Sequence, residues 1–130
     1  MDQAEGRLRQ AHRELQGISF KFAELHARLE AARLAVYKAA WVADRHYGGD
    51  SAFTLQDVAT TGAAAKYLAV SLAVETALEV MKWFGGASYF KETNVARPLL
   101  GMLSYYVGAE GAENILKLII ARNIIGRDLV

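Results

Sequence analysis

Residues 18–43 read ISFKFAELHARLEAARLAVYKAAWVA, and their spacing decides the fold class. Ile18, Phe22, Leu25, Leu29, Ala32, Val36, Ala39 and Ala43 recur at steps of three and four, while Lys21, Glu24, Arg28 and Lys38 fall off that stripe. A period near 3.6 puts the apolar residues on one face of a helix, and about 30 residues at 1.5 Å each give a rod of roughly 45 Å. Leu8 to Leu15 extends the pattern toward the N-terminus, with Gly17 as its weak point. Tyr47-Gly48-Gly49-Asp50 ends it, because paired glycines supply the backbone freedom a helix exit needs.

A second helix is expected from Thr54, since Thr54 with Asp57 approximates a capping box for the free N–H groups of a first turn. It runs through Ala63-Ala64-Ala65, Leu68, Leu72, Thr76, Val80 and Trp83 to Gly85-Gly86, its small residues permitting close helix approach. Residues 87–93 read as a loop. A third, shorter helix covers Asn94 to Val107 or starts only near Arg97, where Pro98 suits a first turn that needs no N–H. A fourth spans Glu110 to Ile125 and stops at Gly126. The expected architecture is all-α, an up-down four-helix bundle in which the apolar seams form the core.

Length and composition agree with this reading. One hundred and thirty residues make one domain, 53% apolar and 22% charged, which excludes a disordered chain. A net charge of +1 argues against a nucleic-acid surface. The absence of cysteine excludes disulfide and zinc-thiolate chemistry, and a single proline suits long helices. No targeting signal or membrane span is read, so a cytoplasmic or organelle-matrix location is the default expectation. His12, His26 and His46 form no metal-binding pair, no Glu-x-x-His pair is present, and Ser88 does not sit in a nucleophile elbow. Gly85-Gly86 on its own reads as a helix cap.

Three segments in order carry more information. They are Ala31-Ala32-Arg33-Leu34-Ala35-Val36-Tyr37-Lys38-Ala39-Ala40-Trp41 followed by Asp44, then Trp83-Phe84-Gly85-Gly86-Ala87-Ser88-Tyr89, then Glu110-Gly111-Ala112-Glu113-Asn114-Ile115 with Leu118-Ile119-Ile120-Ala121-Arg122. From about Gln16 to Gly126 the chain resembles the C-terminal helical domain of the acyl-CoA dehydrogenases. The resemblance implies a longer flavoprotein with a further helical domain and a β domain before this one, and Met1-Asp2-Gln3 opens where the family's chain is already inside the bundle.

The resemblance also implies roles. Glu110 stands where many family members hold the catalytic base that removes the α proton of an acyl-CoA thioester while a hydride leaves the β carbon for FAD; some branches carry the base earlier in the chain. Apolar surroundings raise such a carboxyl's pKa and a helix start lowers it. On the residues alone, Glu110 reads as a first-turn acid. Gln16, Gly85, Gly86 and Asn114 match positions that contact FAD, often across a subunit boundary; read plainly, they are a solvated polar residue, a cap and a first-turn polar residue. Lys82 replaces a family glutamine and either meets a phosphate or complements the helix C-terminus.

Departures fall at Glu5, Leu8 and Arg9, where the pyrophosphate-binding Arg-x-x-Phe-Gly is missing (Arg7 or Arg9 standing in only with shifted geometry), and at Ala109, Ala112 and Leu100-Gly101. The implied partners are an acyl-CoA substrate, electron-transfer flavoprotein or a similar acceptor, and a second copy of the chain in a dimer or tetramer. The alternatives are a flavin oxidase or monooxygenase on the same bundle, and a helical oligomerisation module without activity.

Overall fold

Leu25 and Ala32, seven residues apart on the first helix, pack on Leu72 of the second, with Trp83 closing over them. This computed structural model describes residues 16–109 and 111–129. The expected extension over Leu8 to Leu15, the positions Glu5, Arg7, Leu8 and Arg9, and Glu110 lie outside the described residues. Helix α1 spans Gln16–Tyr47, α2 Leu55–Phe84, α3 Arg97–Val107 and α4 Glu113–Ile125, with no strand among the described residues. The fold is all-α, with the four helices the sequence calls for.

The capping box forms as expected. Thr54 donates its N–H to Asp57 Oδ2 at 2.8 Å, and Asp57 donates its N–H to Thr54 Oγ1 at 3.2 Å. The preceding turn is held by an edge-on contact of Trp41 and Phe53 with ring centroids 4.9 Å apart, and by His46 Nδ1 lying 2.9 Å from Phe53 O. α3 takes the later of its two expected starts, with Pro98 in its first turn. Residues 87–93, expected as a loop, are wound into short 3-10 turns at Gly85–Tyr89 and Lys91–Thr93.

α4 begins three residues later than expected. Gly111 has φ +112° and Ala112 is extended, so the helical path opens only at Glu113. Glu113 is therefore the acid of its first turn.

α2 packs against each of the other three helices. Lys21, near the start of α1, pairs with Glu75 in the later half of α2, while Trp41 near the end of α1 meets Phe53 just before α2 begins, so α1 and α2 are antiparallel. Going back along α2 from Trp83, its neighbours are first Met102, then Tyr106 beside Tyr67, then Lys117, and finally Asn123 at Gln56. α3 and α4 thus follow one another along α2 in one direction. The chain turns back at each end of α2, and its last pass is broken into two helices.

This arrangement buries only part of the α1 seam. Leu25 and Ala32 are each 5% exposed, whereas the neighbouring row Phe22, Leu29 and Val36 is 61%, 46% and 46% exposed. That row, expected in the core, instead forms one wall of an apolar groove of about 440 Å³, whose other wall is Leu72, Val80 and Trp83. The buried positions are rich in alanine (Ala32, Ala63, Ala65, Ala77), which lets the helices approach closely but contributes little apolar area.

An ion-pair cluster reinforces the α1–α2 contact. Glu75 accepts from Arg28 Nη2 at 2.7 Å and from Lys21 Nζ at 2.9 Å, and Glu24 joins both cations from α1. Arg28, and Lys21 after it, hold the Glu75 carboxyl down from 4.5 to about 2. A carboxyl that titrates lower folded than unfolded contributes stability that is complete above its ordinary value and is lost as pH falls toward its folded value. Glu75→Gln should therefore cost about 1 kcal/mol at neutral pH, since the pair is partly solvated. The difference from the parent should shrink between pH 5 and pH 2, as read by urea denaturation across that range.

Candidate functional site

The C-terminal end of α2 builds the first part of the site. Gly85 caps the helix with φ +55° and ψ −140°, a conformation side-chain-bearing residues avoid, and returns its N–H to Lys82 O. Ser88, buried, donates its Oγ–H to Gly85 O at 2.8 Å and props the turn from beneath. Thr93 donates to Ala87 O at 3.1 Å and Phe90 O at 2.8 Å, tying the second 3-10 turn to the first. Nothing lies within 4 Å of where a Cβ would stand on Gly85 or Gly86, so this stretch of backbone is bare and approachable. Gly85-Gly86 is thus a cap, as the bland reading had it, and also an open shelf.

Lys82, on the last turn before that shelf, is exposed and pairs with Glu79 Oε1 at 2.7 Å. Gln16 is the exposed first residue of α1. The antiparallel register of Lys21 with Glu75 brings the start of α1 level with the last turns of α2, so Gln16, Lys82, Gly85 and Gly86 share one end of the molecule.

The second part is the corner between α3 and α4. Ala109 N–H bonds to Ser104 O at 3.0 Å, and the N–H groups of Ile115 and Leu116 reach Ala112 O at 2.9 and 3.2 Å. Asn114 is exposed in the first turn of α4. The corner packs near Tyr67 and Ser71, about three turns (roughly 16 Å) along α2 from Lys82, so Asn114 stands apart from the other candidate cofactor residues.

A polar cluster seals this corner. Lys117 pairs with Glu113 and lies 5.2 Å from the Tyr67 ring centroid. Lys117, then the Tyr106 phenol, lower the Glu113 carboxyl's pKa, and the same carboxylate raises that of the phenol. Lys66 of α2 donates to Ala109 O and, at 3.2 Å, to Gly111 O. Sequence reading passed over Lys66, although it is the lone charge between Asp57 and Glu75 and a charge in so apolar a stretch signals a partner.

Among the described residues, no group of three or more His, Asp or Glu is placed to hold a metal, and no helix is long and apolar enough to cross a membrane. The residues at the Gly85-Gly86 shelf fit a dinucleotide such as FAD: exposed glycine backbone for close approach and a neighbouring lysine for a phosphate.

Comparison with known proteins shows the family. The chain is 36% identical over 111 residues to an acyl-CoA dehydrogenase of Bacillus subtilis, covering 85% of this chain and 27% of that one. It is 32% identical over 111 residues to an L-prolyl-[peptidyl-carrier protein] dehydrogenase of a Serratia species, covering 85% and 26%. It is 27% identical over 114 residues to a 3-(aryl)acrylate reductase of Clostridium sporogenes, covering 86% and 27%. The chain thus spans about a quarter of the length of the curated relatives it matches. No solved structure matches it at a significant level. The family model described as acyl-CoA dehydrogenase, C-terminal domain, matches residues 3–125, from before α1 to the last residue of α4. With these four helices and that match over nearly the whole sequence, the chain belongs to the acyl-CoA dehydrogenase family, as its C-terminal helical domain.

Proposed function

We propose that residues 1–130 form a single helical domain, the C-terminal part of a longer flavoprotein that dehydrogenates an acyl-CoA thioester between its α and β carbons. The observation that carries this reading is the family match over residues 3–125. The relatives are named as dehydrogenases and as a reductase, which supports redox chemistry as their common theme.

Glu110 is the base: its carboxylate takes the α proton as the β hydride leaves and the C=C bond forms. When bound, FAD supplies the hydride acceptor. Gly85 and Gly86 admit the cofactor to bare backbone, and Lys82 turns from Glu79 toward a phosphate. Gln16 and Asn114 add polar contacts, Asn114 from its separate corner meeting a different part of the cofactor or a cofactor held by a neighbouring subunit. Electron-transfer flavoprotein or a similar protein takes the electrons onward.

The test is anaerobic titration of the full-length flavoprotein with acyl-CoAs of several chain lengths. Bleaching of the oxidised flavin supports the reading. Oxygen consumption without another acceptor points instead to an oxidase or monooxygenase, and failure of every acyl-CoA to bleach the flavin overturns the dehydrogenase assignment.

The exposed row Phe22, Leu29 and Val36 favours a second role beside the first, a surface for association with other domains or with a second copy in a dimer or tetramer. A strict monomer in sedimentation of the full-length protein counts against the oligomer.

A further inference from the structure

The carbonyls on either side of residue 110 share one donor. Lys66 Nζ, at mid-length of α2, bonds to Ala109 O and Gly111 O, spanning 43 and 45 residues of sequence. The carbonyls of Ala109 and Gly111 lie in the connection between α3 and α4, outside either helix, and a carbonyl drawn away from water needs another partner. Here a half-buried ammonium on another helix takes them, flanked on α2 by the buried Ala63 and Ala65. Lysine suits the task, because a compact charge with three donors can serve two acceptors at once.

The corner needs such a tie. Between α3 and α4 the backbone passes through Gly108 and through Gly111 at φ +112°, positions that leave the connection with little stiffness of its own. Tyr106, Glu113 and Lys117 secure the two helix ends, but it is Lys66 that holds the carbonyls of both residues adjoining residue 110, Ala109 and Gly111.

We propose that Lys66 is a positioning residue for the catalytic base: by holding the Ala109 and Gly111 carbonyls it fixes the corner from which Glu110 acts. This rests on the reading of Glu110 as the base. A misplacement of about 1 Å costs roughly 100-fold in rate where a proton must be taken in a set geometry.

The test uses the full-length holoenzyme. Lys66→Met should lower the rate constant for flavin reduction by acyl-CoA about 100-fold, while FAD content and acyl-CoA Kd stay within about 2-fold of the parent. Lys66→Arg, which keeps the charge and donors, should recover most of that loss. Hydrogen exchange over residues 109–113 should quicken in Lys66→Met and not in Lys66→Arg. A merely structural lysine would instead lower FAD content and thermal stability and leave the reduction rate of the remaining holoenzyme unchanged; that result overturns the proposal, as does a parental rate in Lys66→Met. If Lys66→Met does not fold, Lys66→Gln, whose shorter and uncharged side chain cannot hold both carbonyls, is compared with Lys66→Arg instead, and the same fall in the reduction rate is expected. The two readings fail separately. Full flavin reduction by Glu110→Gln refutes the base and the positioning role together, whereas a slow Glu110→Gln beside a fast Lys66→Met refutes only Lys66.

Discussion

Glu110→Gln is expected to slow flavin reduction by acyl-CoA about 1,000-fold or more, within the 10²–10⁴ range that a positioned general base contributes and toward its upper part. The α C–H of a thioester is a weak acid, so its removal depends on a carboxylate placed against it. Glutamine keeps the size and polarity of the side chain but has no basic oxygen to take the proton. Acyl-CoA should still bind, with a Kd near that of the parent, and FAD should remain in place, because the substitution removes no cofactor contact proposed above. Stopped-flow absorbance of the flavin band, with an independent acyl-CoA titration, separates the two effects. Normal turnover by this variant moves the base to another part of the full-length protein, as in those family branches that carry it earlier in the chain.

Leu72→Ala is expected to destabilise the domain by about 3 kcal/mol. Leu72 is buried where α2 meets Leu25 and Ala32 of α1, and Trp83 leans on the same cluster. The space it fills lies between two helices held in register by the Glu75 ion pairs, so it closes only in part, and the cost should sit well inside the 2–5 kcal/mol seen for such truncations. Domains of this kind hold only about 5–15 kcal/mol in total. The site itself offers no compensation, because Leu72 also forms a wall of the apolar groove and its loss widens that groove. Urea denaturation followed by circular dichroism reads the effect. A shift in the midpoint with an unchanged slope assigns it to the folded core.

The elements of this domain were legible because local chemistry writes them. The threes and fours from Ile18 to Ala43, the Thr54–Asp57 box, Pro98 in a first turn and the glycine stops each act within a few residues, and each is found where it was read. The start of α4 was misread because Glu110 looks like a good first-turn acid, while the positive φ of Gly111 that delays the helix leaves no mark on the apolar pattern. The ordered motifs around Gly85-Gly86 and Glu110-Gly111 were enough to indicate the family, since their order and spacing carry information that no single one of them does.

Long-range pairing was not legible. Nothing in residues 18–43 distinguishes the row Leu25–Ala32 from the row Phe22–Leu29–Val36, because a helix offers both on one broad apolar face. The choice between them depends on where α2 lies and on how many helices surround it. Lys66 likewise reads as an isolated charge until the return of the chain along α2 brings the α3–α4 corner to it. The sequence by itself determined the helices, their breaks and the family, because those follow from neighbours along the chain. Only the tertiary structure decided which apolar row is buried and which lysine grips the corner beside residue 110, because those contacts join atoms that the chain separates by 40 residues or more.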